Sequence, residues 1–165
     1  MTRKTDIRAS GPAQVSNEPA GSDAHIVLSH NGVCVSDMER SLRFYGDALG
    51  FELHQRHEIA EAYGRLAELP DLKAQIAFLV LGGRMLELIH FEHPLAFGPT
   101  ARRAMNQYGL THLCFKVSDI DAVAARIAKA GGKALPETRV HASGHMTMYC
   151  TDPDGVRIEL TCVSP

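Results

Sequence analysis

The chain carries the same sequence pattern twice. Residues 30–37 begin with histidine, end in Val-Ser-Asp and precede an amphipathic stretch that stops at a glycine. Residues 112–119 repeat this order, and a second amphipathic stretch follows them. Further along, each copy carries a glutamate between two aliphatic residues, Glu87 in the first copy and Glu159 in the second. An internal repeat of this kind predicts two similar structural units that share one core.

Hydrophobic periodicity predicts the same order of elements in both copies. In each copy an apolar strand pattern leads to an amphipathic helix, and three further strand patterns follow. We assign the first βαβββ module to residues 26–92, a linker with a short helix over 100–108 to residues 93–109, and the second module to residues 110–163. The predicted fold class is therefore α+β, with two tandem βαβββ modules. Their curved mixed sheets are expected to surround a cleft, and their helices to lie outside.

Composition argues against several classes of partner. The net charge is -2 and the sequence has no basic run, so nothing favours nucleic acid or an anionic membrane surface. No segment has the apolar length of a membrane span or the apolar region of a secretory signal. Residues 1–23 are rich in Ser, Gly, Pro and Ala. We expect them to form a disordered N-terminal tail before a single domain at 24–163.

The four cysteines indicate a cytoplasmic protein. Cys34, Cys114, Cys150 and Cys162 all lie in apolar, strand-like runs, and none forms a Cys-x-x-Cys pair. Without a secretory signal they are expected to be reduced, buried thiols. Cys34 and Cys114 stand at even spacing from the repeated histidines, so they are predicted to share the histidines' side of each strand.

The repeated histidines and glutamates form a candidate metal site. Burying a carboxylate without a partner costs several kcal/mol, and both glutamates lie in apolar strand patterns. Each residue taken alone is more often structural or solvent-exposed, but the match between the copies favours a shared divalent cation. The predicted ligands are His30, Glu87, His112 and Glu159. Two imidazoles and two carboxylates suit one Ni, Co, Zn, Mn or Fe(II) ion and leave positions open for water or substrate.

These segments together resemble the vicinal oxygen chelate superfamily. That superfamily includes glyoxalase I, methylmalonyl-CoA epimerase, bleomycin-resistance proteins, fosfomycin-modifying enzymes and extradiol dioxygenases. The resemblance covers about residues 26–162 and implies paired βαβββ modules around a metal-binding cleft, completed or reinforced in a homodimer. The matching segments are residues 30–51, 85–88, 109–119 and 152–160.

The resemblance also implies a chemistry. In this superfamily the metal binds two oxygens of a small-molecule substrate and stabilises an enediolate-type oxyanion as a Lewis acid. By the same resemblance Glu159 and Glu87 are the candidates for proton transfer, because a carboxylate that leaves the metal can act as base. The predicted function is a divalent-metal-dependent lyase or isomerase of the glyoxalase I type, acting on a small oxygenated carbonyl substrate.

Three alternatives remain open at this point. Cys34 and Phe91 stand where glyoxalase I usually has the Arg and Asn that serve glutathione, which weakens a glutathione hemithioacetal as substrate. An isomerase like methylmalonyl-CoA epimerase is the first alternative. The second is an Fe(II)-dependent ring-cleaving dioxygenase, for which Glu87 is surplus to a site of two histidines and one carboxylate. The third is a metal-free protein that binds a drug or another small molecule.

Overall fold

Residues 26–98 and 102–163 are described by the computed structural model. The predicted disordered tail at 1–23 therefore lies outside the described residues. In the first module the chain forms β1 (His30–Cys34), α1 (Met38–Leu49), β2 (Glu52–Ile59), a 3-10 turn (Glu61–Tyr63), α2 (Gly64–Ala67), β3 (Lys73–Leu81) and β4 (Arg84–His93). In the second module it forms β5 (Leu113–Lys116), α3 (Ile120–Lys129), β6 (Lys133–Ala142), β7 (His145–Thr151) and β8 (Arg157–Val163).

The two modules build separate four-stranded sheets with the same topology. The strand order is β1-β4-β3-β2 in the first sheet and β5-β8-β7-β6 in the second. In both sheets the first strand of the module runs parallel to the last, and the other pairings are antiparallel. The predicted α+β class and the tandem βαβββ modules are confirmed. None of the described helices has the length and hydropathy that a transmembrane span requires.

Both long helices begin at an aspartate that the repeat supplies. The Asp37 carboxylate accepts a 2.9 Å hydrogen bond from the backbone N–H of Arg40, and Asp119 accepts the same bond from Ala122. Such side chains satisfy backbone donors that the first helical turn leaves unpaired. Helix α1 ends at Gly50, which adopts a left-handed conformation with φ of 81°.

The helices lie at the junction between the modules, and the prediction that they lie outside is wrong. Helices α1 and α3 contact each other, and one core cluster contains buried residues from both modules. Fully buried Phe44 on α1 lies beside Gly132, just after α3. A Cβ at position 132 would lie 2.3 Å from the Thr151 carbonyl oxygen and 2.8 Å from the Phe44 ring. The absence of a side chain at Gly132 therefore allows the modules to approach this closely.

The turn between β7 and β8 is joined to the start of α1. The Ser36 hydroxyl donates a 2.6 Å hydrogen bond to Asp154, and the Ser36 backbone N–H donates a second at 3.0 Å. The guanidinium of Arg40 forms an ion pair with the same carboxylate. We call Ser36, Arg40 and Asp154 the inter-module latch, because they connect the first helix of one module to the last turn of the other.

The linker is organised by arginine side chains. Residues 102–104 are irregular and residues 105–108 form turns and bends, so the helix predicted over 100–108 is absent from the part of that segment that the structure describes. The Arg103 guanidinium donates to the carbonyl oxygens of Tyr108 and Leu110, which folds the segment back on itself. These contacts, which sequence periodicity does not reveal, replace the regular hydrogen bonds of a helix.

Candidate metal centre

The first half of the predicted site lies on the exposed face of the first sheet. His30 opens β1, and Glu87 lies in the neighbouring strand β4. The His30 Nε2 is 3.4 Å from the Glu87 Oε2, and the two side chains are 36% and 16% exposed. Leu86 and Leu88 alternate with the glutamate and are buried in the core. We call His30 and Glu87 the first half-site.

The second module repeats this arrangement. The His112 Nε2, just before β5, lies 3.4 Å from the Glu159 Oε2 in β8, and the side chains are 26% and 20% exposed. Ile158 and Leu160 on either side are fully buried. We call His112 and Glu159 the second half-site. Each half-site thus presents one imidazole and one carboxylate on the same face of a sheet, which is a suitable pair of ligands for a borderline divalent cation.

The described part of one chain does not bring the four residues into a single cluster. Over residues 26–98 and 102–163, no group of three or more His, Cys, Asp or Glu side chains is placed to hold a metal ion. The histidine–glutamate pairs lie on different sheets, and the modules meet through α1 and α3. The four-ligand site therefore stays a prediction, and the described residues show two separate histidine–glutamate pairs.

The surroundings of the two glutamates differ, although their backbone positions match. Cys114 lies opposite Glu159 across β5 and β8, and its thiol donates a 3.2 Å hydrogen bond to the carboxylate. Loss of hydration, and then this hydrogen bond, raise the pKa of Cys114 to about 11, so the donor is a neutral thiol at neutral pH. Tyr149 lies opposite Glu159 on the other side, in β7. Loss of hydration and hydrogen bonding with Glu159 raise the pKa of Tyr149.

The corresponding positions around Glu87 carry no polar side chain. Gly32 lies opposite Glu87 on β1, and Phe78 lies opposite it on β3. A Cβ at position 32 would be in van der Waals contact with the Glu87 Oε2, at 3.5 Å, so the glycine places no polar group beside the carboxylate. The centre of the Phe78 ring lies 5.4 Å from the centre of the His30 ring, in an edge-on contact. In the second half-site the Tyr149 ring makes the same kind of contact with His112.

A cavity of about 320 Å³ lies between β1 and the residues that lead into β5. Cys34, His112, Arg103 and Arg157 are among the residues that line it, so the second half-site is reached from this space. Arg157 is only 8% exposed. Its guanidinium donates a 2.7 Å hydrogen bond to the Arg103 carbonyl oxygen and lies 5.4 Å from the centre of the Tyr149 ring. Arg157 thereby holds the linker against the second half-site.

Sequence reasoning found some of these residues and missed others. It placed Cys114 on the face of His112, as the structure confirms through the bond to Glu159. It did not find Tyr149 as a neighbour of Glu159. The sequence does contain a signal for this contact, because the turn between β7 and β8 sets the register that pairs the two residues.

A sequence model described as the Glyoxalase/Bleomycin resistance protein/Dioxygenase superfamily matches residues 24–160. The chain is 26% identical over 140 residues to an ethylmalonyl-CoA/methylmalonyl-CoA epimerase from Cereibacter sphaeroides, covering 81% of this chain and 95% of the relative. It is 29% identical over 134 residues to a lactoylglutathione lyase from Salmonella typhimurium, covering 81% and 90%.

The fold is also found among solved structures. A glyoxalase family protein from Bacillus cereus superposes with a TM-score of 0.77 at 21% sequence identity, covering 89% of this chain and 100% of that one. At this identity the likeness shows the fold alone. Because 89% of this chain is covered, the match includes residues of both modules.

Proposed function

Because the chain belongs to the Glyoxalase/Bleomycin resistance protein/Dioxygenase superfamily, we propose that it is a divalent-metal-dependent lyase or isomerase of a small oxygenated carbonyl compound. Two relatives in this superfamily are named as an epimerase and a lyase. The observation that carries the proposal is the repeated histidine–glutamate pair. In both modules it occupies equivalent positions, faces away from the core and joins the same atoms at 3.4 Å.

The proposed ligands are two imidazole nitrogens and two carboxylate oxygens from the two half-sites. This donor set fits one Ni, Co, Zn, Mn or Fe(II) ion and leaves positions for a substrate that offers two oxygens. A bound divalent ion would supply Lewis-acid stabilisation of negative charge on the substrate oxygens. The remaining chemistry, which is proton movement, falls to the carboxylates of Glu87 and Glu159.

Proton transfer by a carboxylate accounts for both kinds of reaction. The carboxylate removes the proton from the carbon beside the substrate carbonyl, and the electron pair of that C–H bond moves onto the carbonyl oxygen. The resulting carboxylic acid then returns the proton. Return to the opposite face of the same carbon gives an epimer. Return to the former carbonyl carbon gives the isomerised product, with the proton of the hydroxyl on the first carbon passing to the oxyanion. In each case the carboxylate is regenerated.

A homodimer completes the site in this proposal. Among the described strands, β1 pairs only with β4 and β5 only with β8, so each has a free edge. A free strand edge presents unpaired backbone groups that another strand can satisfy. If β1 of one chain lies beside β5 of a second chain, two-fold symmetry creates two identical contacts, and each one unites a first half-site with a second half-site.

A cytoplasmic location belongs to the same proposal. All four cysteines are free, and none lies in a disulfide. Reduced thiols are the rule in the cytoplasm, and an unpaired exposed cysteine such as Cys34 is better tolerated there.

Metal content with complementation between variants tests the proposal. Wild-type protein reconstituted with each candidate metal is expected to bind about one ion per chain. His30→Ala and His112→Ala are each expected to lose the bound ion. His54→Ala, an exposed control on β2, should retain the ion. The two variants are then co-expressed with different affinity tags, and the mixed dimer is isolated.

The mixed dimer distinguishes the two arrangements. In a reciprocal dimer, the intact first half-site of one variant meets the intact second half-site of the other, so about one ion binds per dimer. If both half-sites came from one chain, every site would lack a histidine and the mixed dimer would stay empty. Wild-type protein that binds none of the metals would instead support the metal-free binding protein. Iron with oxygen-dependent turnover would support the dioxygenase.

Candidate substrates are then screened with protein loaded with the metal that it binds. The two relatives point to acyl-CoA epimers and to the glutathione adduct of a ketoaldehyde as first probes. Between these, the epimerase-like activity is the second candidate function. It is favoured by Cys34 and Phe91, which are apolar or weakly polar where a glutathione-binding enzyme needs hydrogen-bonding side chains.

A further inference from the structure

We propose that the substrate is a carbonyl compound that also bears a carboxylate, and that this carboxylate binds to the second sheet at Lys116, His145 and the hydroxyls of Thr147 and Thr161. The inference rests on the proposed function and adds the class of substrate to it. The evidence is a difference between the two sheets in the side chains that lie one step along the strands from each glutamate.

The second sheet carries a polar and cationic row beside its half-site. Residues two positions apart on a strand share a face of the sheet, and so do residues directly opposite on neighbouring strands. Lys116, Thr161 and Thr147 lie opposite one another on β5, β8 and β7. Thr161 is two positions beyond Glu159, so the three residues stand on the face of the second half-site, about 7 Å further along the strands. We call these three residues the cationic row.

The corresponding row of the first sheet is apolar. Cys34, Ile89 and Ile76 lie opposite one another on β1, β4 and β3, two positions beyond Glu87. Their thiol and aliphatic side chains offer neither a charge nor a strong hydrogen-bond donor. A substrate with one anionic end would therefore bind in one orientation, with that end towards the second sheet and its apolar part towards the first.

A small cavity of about 90 Å³ opens beside the cationic row. Lys116, Thr161 and His145 are among the residues that line it. A cavity of this size is large enough for several water molecules, and so for a carboxylate group. The ammonium group of Lys116 brings three donors, and the imidazole of His145 can donate a further hydrogen bond. The cavity therefore combines the volume and the donors that a carboxylate requires.

The described residues leave donors of this row free for a ligand. None of the ion pairs that they form includes Lys116. The Thr147 hydroxyl donates a 3.2 Å hydrogen bond to the Thr161 hydroxyl, whose own proton can then be donated to another acceptor. On the other side of the second half-site, the Arg157 guanidinium already donates to the Arg103 carbonyl oxygen. Lys116 is thus better placed than Arg157 to bind an anion.

The charge of the row favours a carboxylate over a phosphate. One ammonium group balances the single charge of a carboxylate. A phosphate monoester carries about −1.5 to −2 charges at neutral pH, and its geometry suits the paired donors of arginine. The distance of about 7 Å between the row and Glu159 also sets a length. A carboxylate a few carbon atoms from the carbonyl group fits this distance.

Two probes that bind to Zn²⁺-loaded protein test the inference without turnover. 2-Oxoglutarate and 2-oxopentanoate share a five-carbon chain and a 2-oxo acid end that offers two oxygens, but 2-oxoglutarate has a second carboxylate. We expect 2-oxoglutarate to bind about 10-fold more tightly in isothermal titration calorimetry, because that carboxylate gains charge-assisted hydrogen bonds. Lys116→Met keeps most of the side-chain length and removes the charge. It is expected to abolish the difference between the probes.

Two further variants and a third probe sharpen the test. Lys129→Met removes an exposed lysine from α3 and should keep the full difference between the probes. Thr161→Val keeps the shape of the side chain but loses the hydroxyl, and should reduce the difference to about threefold. Thermal unfolding confirms that each variant is folded. The third probe, 2-oxo-4-phosphonobutanoate, replaces the second carboxylate by a phosphonate.

Each outcome decides one of the two proposals. If wild-type protein binds no Zn²⁺, the proposed function fails, and this inference with it. If it binds Zn²⁺ but 2-oxoglutarate binds no more tightly than 2-oxopentanoate, or Lys116→Met keeps the difference, the carboxylate site alone is overturned. A phosphonate that binds more tightly than 2-oxoglutarate, through Lys116, would overturn the choice of a carboxylate. Loss of the difference in Lys116→Met but not in Lys129→Met supports the inference.

Discussion

The Tyr45 hydroxyl donates a 3.0 Å hydrogen bond to the Asp152 carboxylate and so connects helix α1 of the first module to the turn before β8 of the second. Both residues are buried, and Asp152 also accepts hydrogen bonds from the backbone N–H groups of Asp154 and Val156. Burial raises the pKa of Asp152, against the effect of these donors. Burial of this carboxylate therefore costs free energy, and the hydrogen bond from Tyr45 at the junction of the modules offsets part of that cost.

Tyr45→Phe is expected to lower the free energy of unfolding by about 1–3 kcal/mol, because a buried carboxylate oxygen loses its donor. Urea denaturation followed by circular dichroism measures the change. Tyr63→Phe is the matched control, since this tyrosine is half-exposed, and should cost less than about 0.5 kcal/mol. Equal effects of the two substitutions would show that the bond to Asp152 contributes nothing to stability.

The inter-module latch predicts a pH dependence. Burial acts to raise the pKa of Asp154, but the hydrogen bonds from Ser36 and the Arg40 guanidinium outweigh it and lower the pKa below its ordinary value. A carboxylate with a depressed pKa in the folded state adds stability above its unfolded pKa and loses it as the pH falls through the folded one.

Wild type should therefore be more stable than Asp154→Asn at about pH 6, and the difference should shrink as the pH falls from about 5 to 2. Thermal unfolding over this range measures the difference, and the other carboxylates largely cancel because both proteins contain them. Asp47→Asn, on the exposed face of α1, is the control and should show a smaller change. A difference that is constant with pH would contradict the latch.

Gly132→Ala is expected to destabilise the protein by about 1–3 kcal/mol, because the new methyl group overlaps the Thr151 carbonyl and the Phe44 ring. Gly46→Ala provides the control. It adds the same methyl group inside α1, where the nearest backbone atom is 3.6 Å away, and should be neutral or stabilising. Chemical denaturation of the two variants compares them directly. If the Gly132→Ala protein is as stable as the wild type, the modules can move apart at this contact without lowering the free energy of unfolding.

Arg157→Met is expected to loosen the linker. The buried guanidinium bonds to the Arg103 carbonyl and stacks on Tyr149, so its removal should cost about 1–3 kcal/mol and speed proteolysis near residues 102–110. Limited trypsin digestion with mass spectrometry locates the cleavage. The control is Arg43→Met, which removes an exposed arginine from α1. If trypsin cleaves the linker of Arg157→Met no faster than that of the wild type, Arg157 does not hold the linker in place.

Sequence patterns were sufficient to predict those parts of the fold whose determining contacts are local or occur in both modules. Asp37 and Asp119 cap their helices through bonds to backbone groups three residues away, so short motifs were enough to locate both helix starts. The pairing of His30 with Glu87 is not local, but its copy in the second module marks both residues. The order of strands and helices along each module followed from the same repeat.

The packing between modules could not be predicted in this way. The contact of Phe44 with Gly132 joins residues far apart in sequence, and neither has a repeat partner that signals it. An amphipathic helix shows that one face is buried but not which surface covers it. The same limit applies to the candidate site, since a matched set of four ligands does not tell whether one chain or two supply them.

The two modules share strand order and register, yet Gly32 and Phe78 in one correspond to Cys114 and Tyr149 in the other. A duplicated scaffold offers every position twice, so a substitution in one copy leaves the other copy unchanged. Glu159 then has a thiol and a phenol opposite it, while Glu87 has a glycine and a phenyl ring. Divergence after duplication can in this way give two equivalent positions different surroundings, without any change in the backbone that carries them.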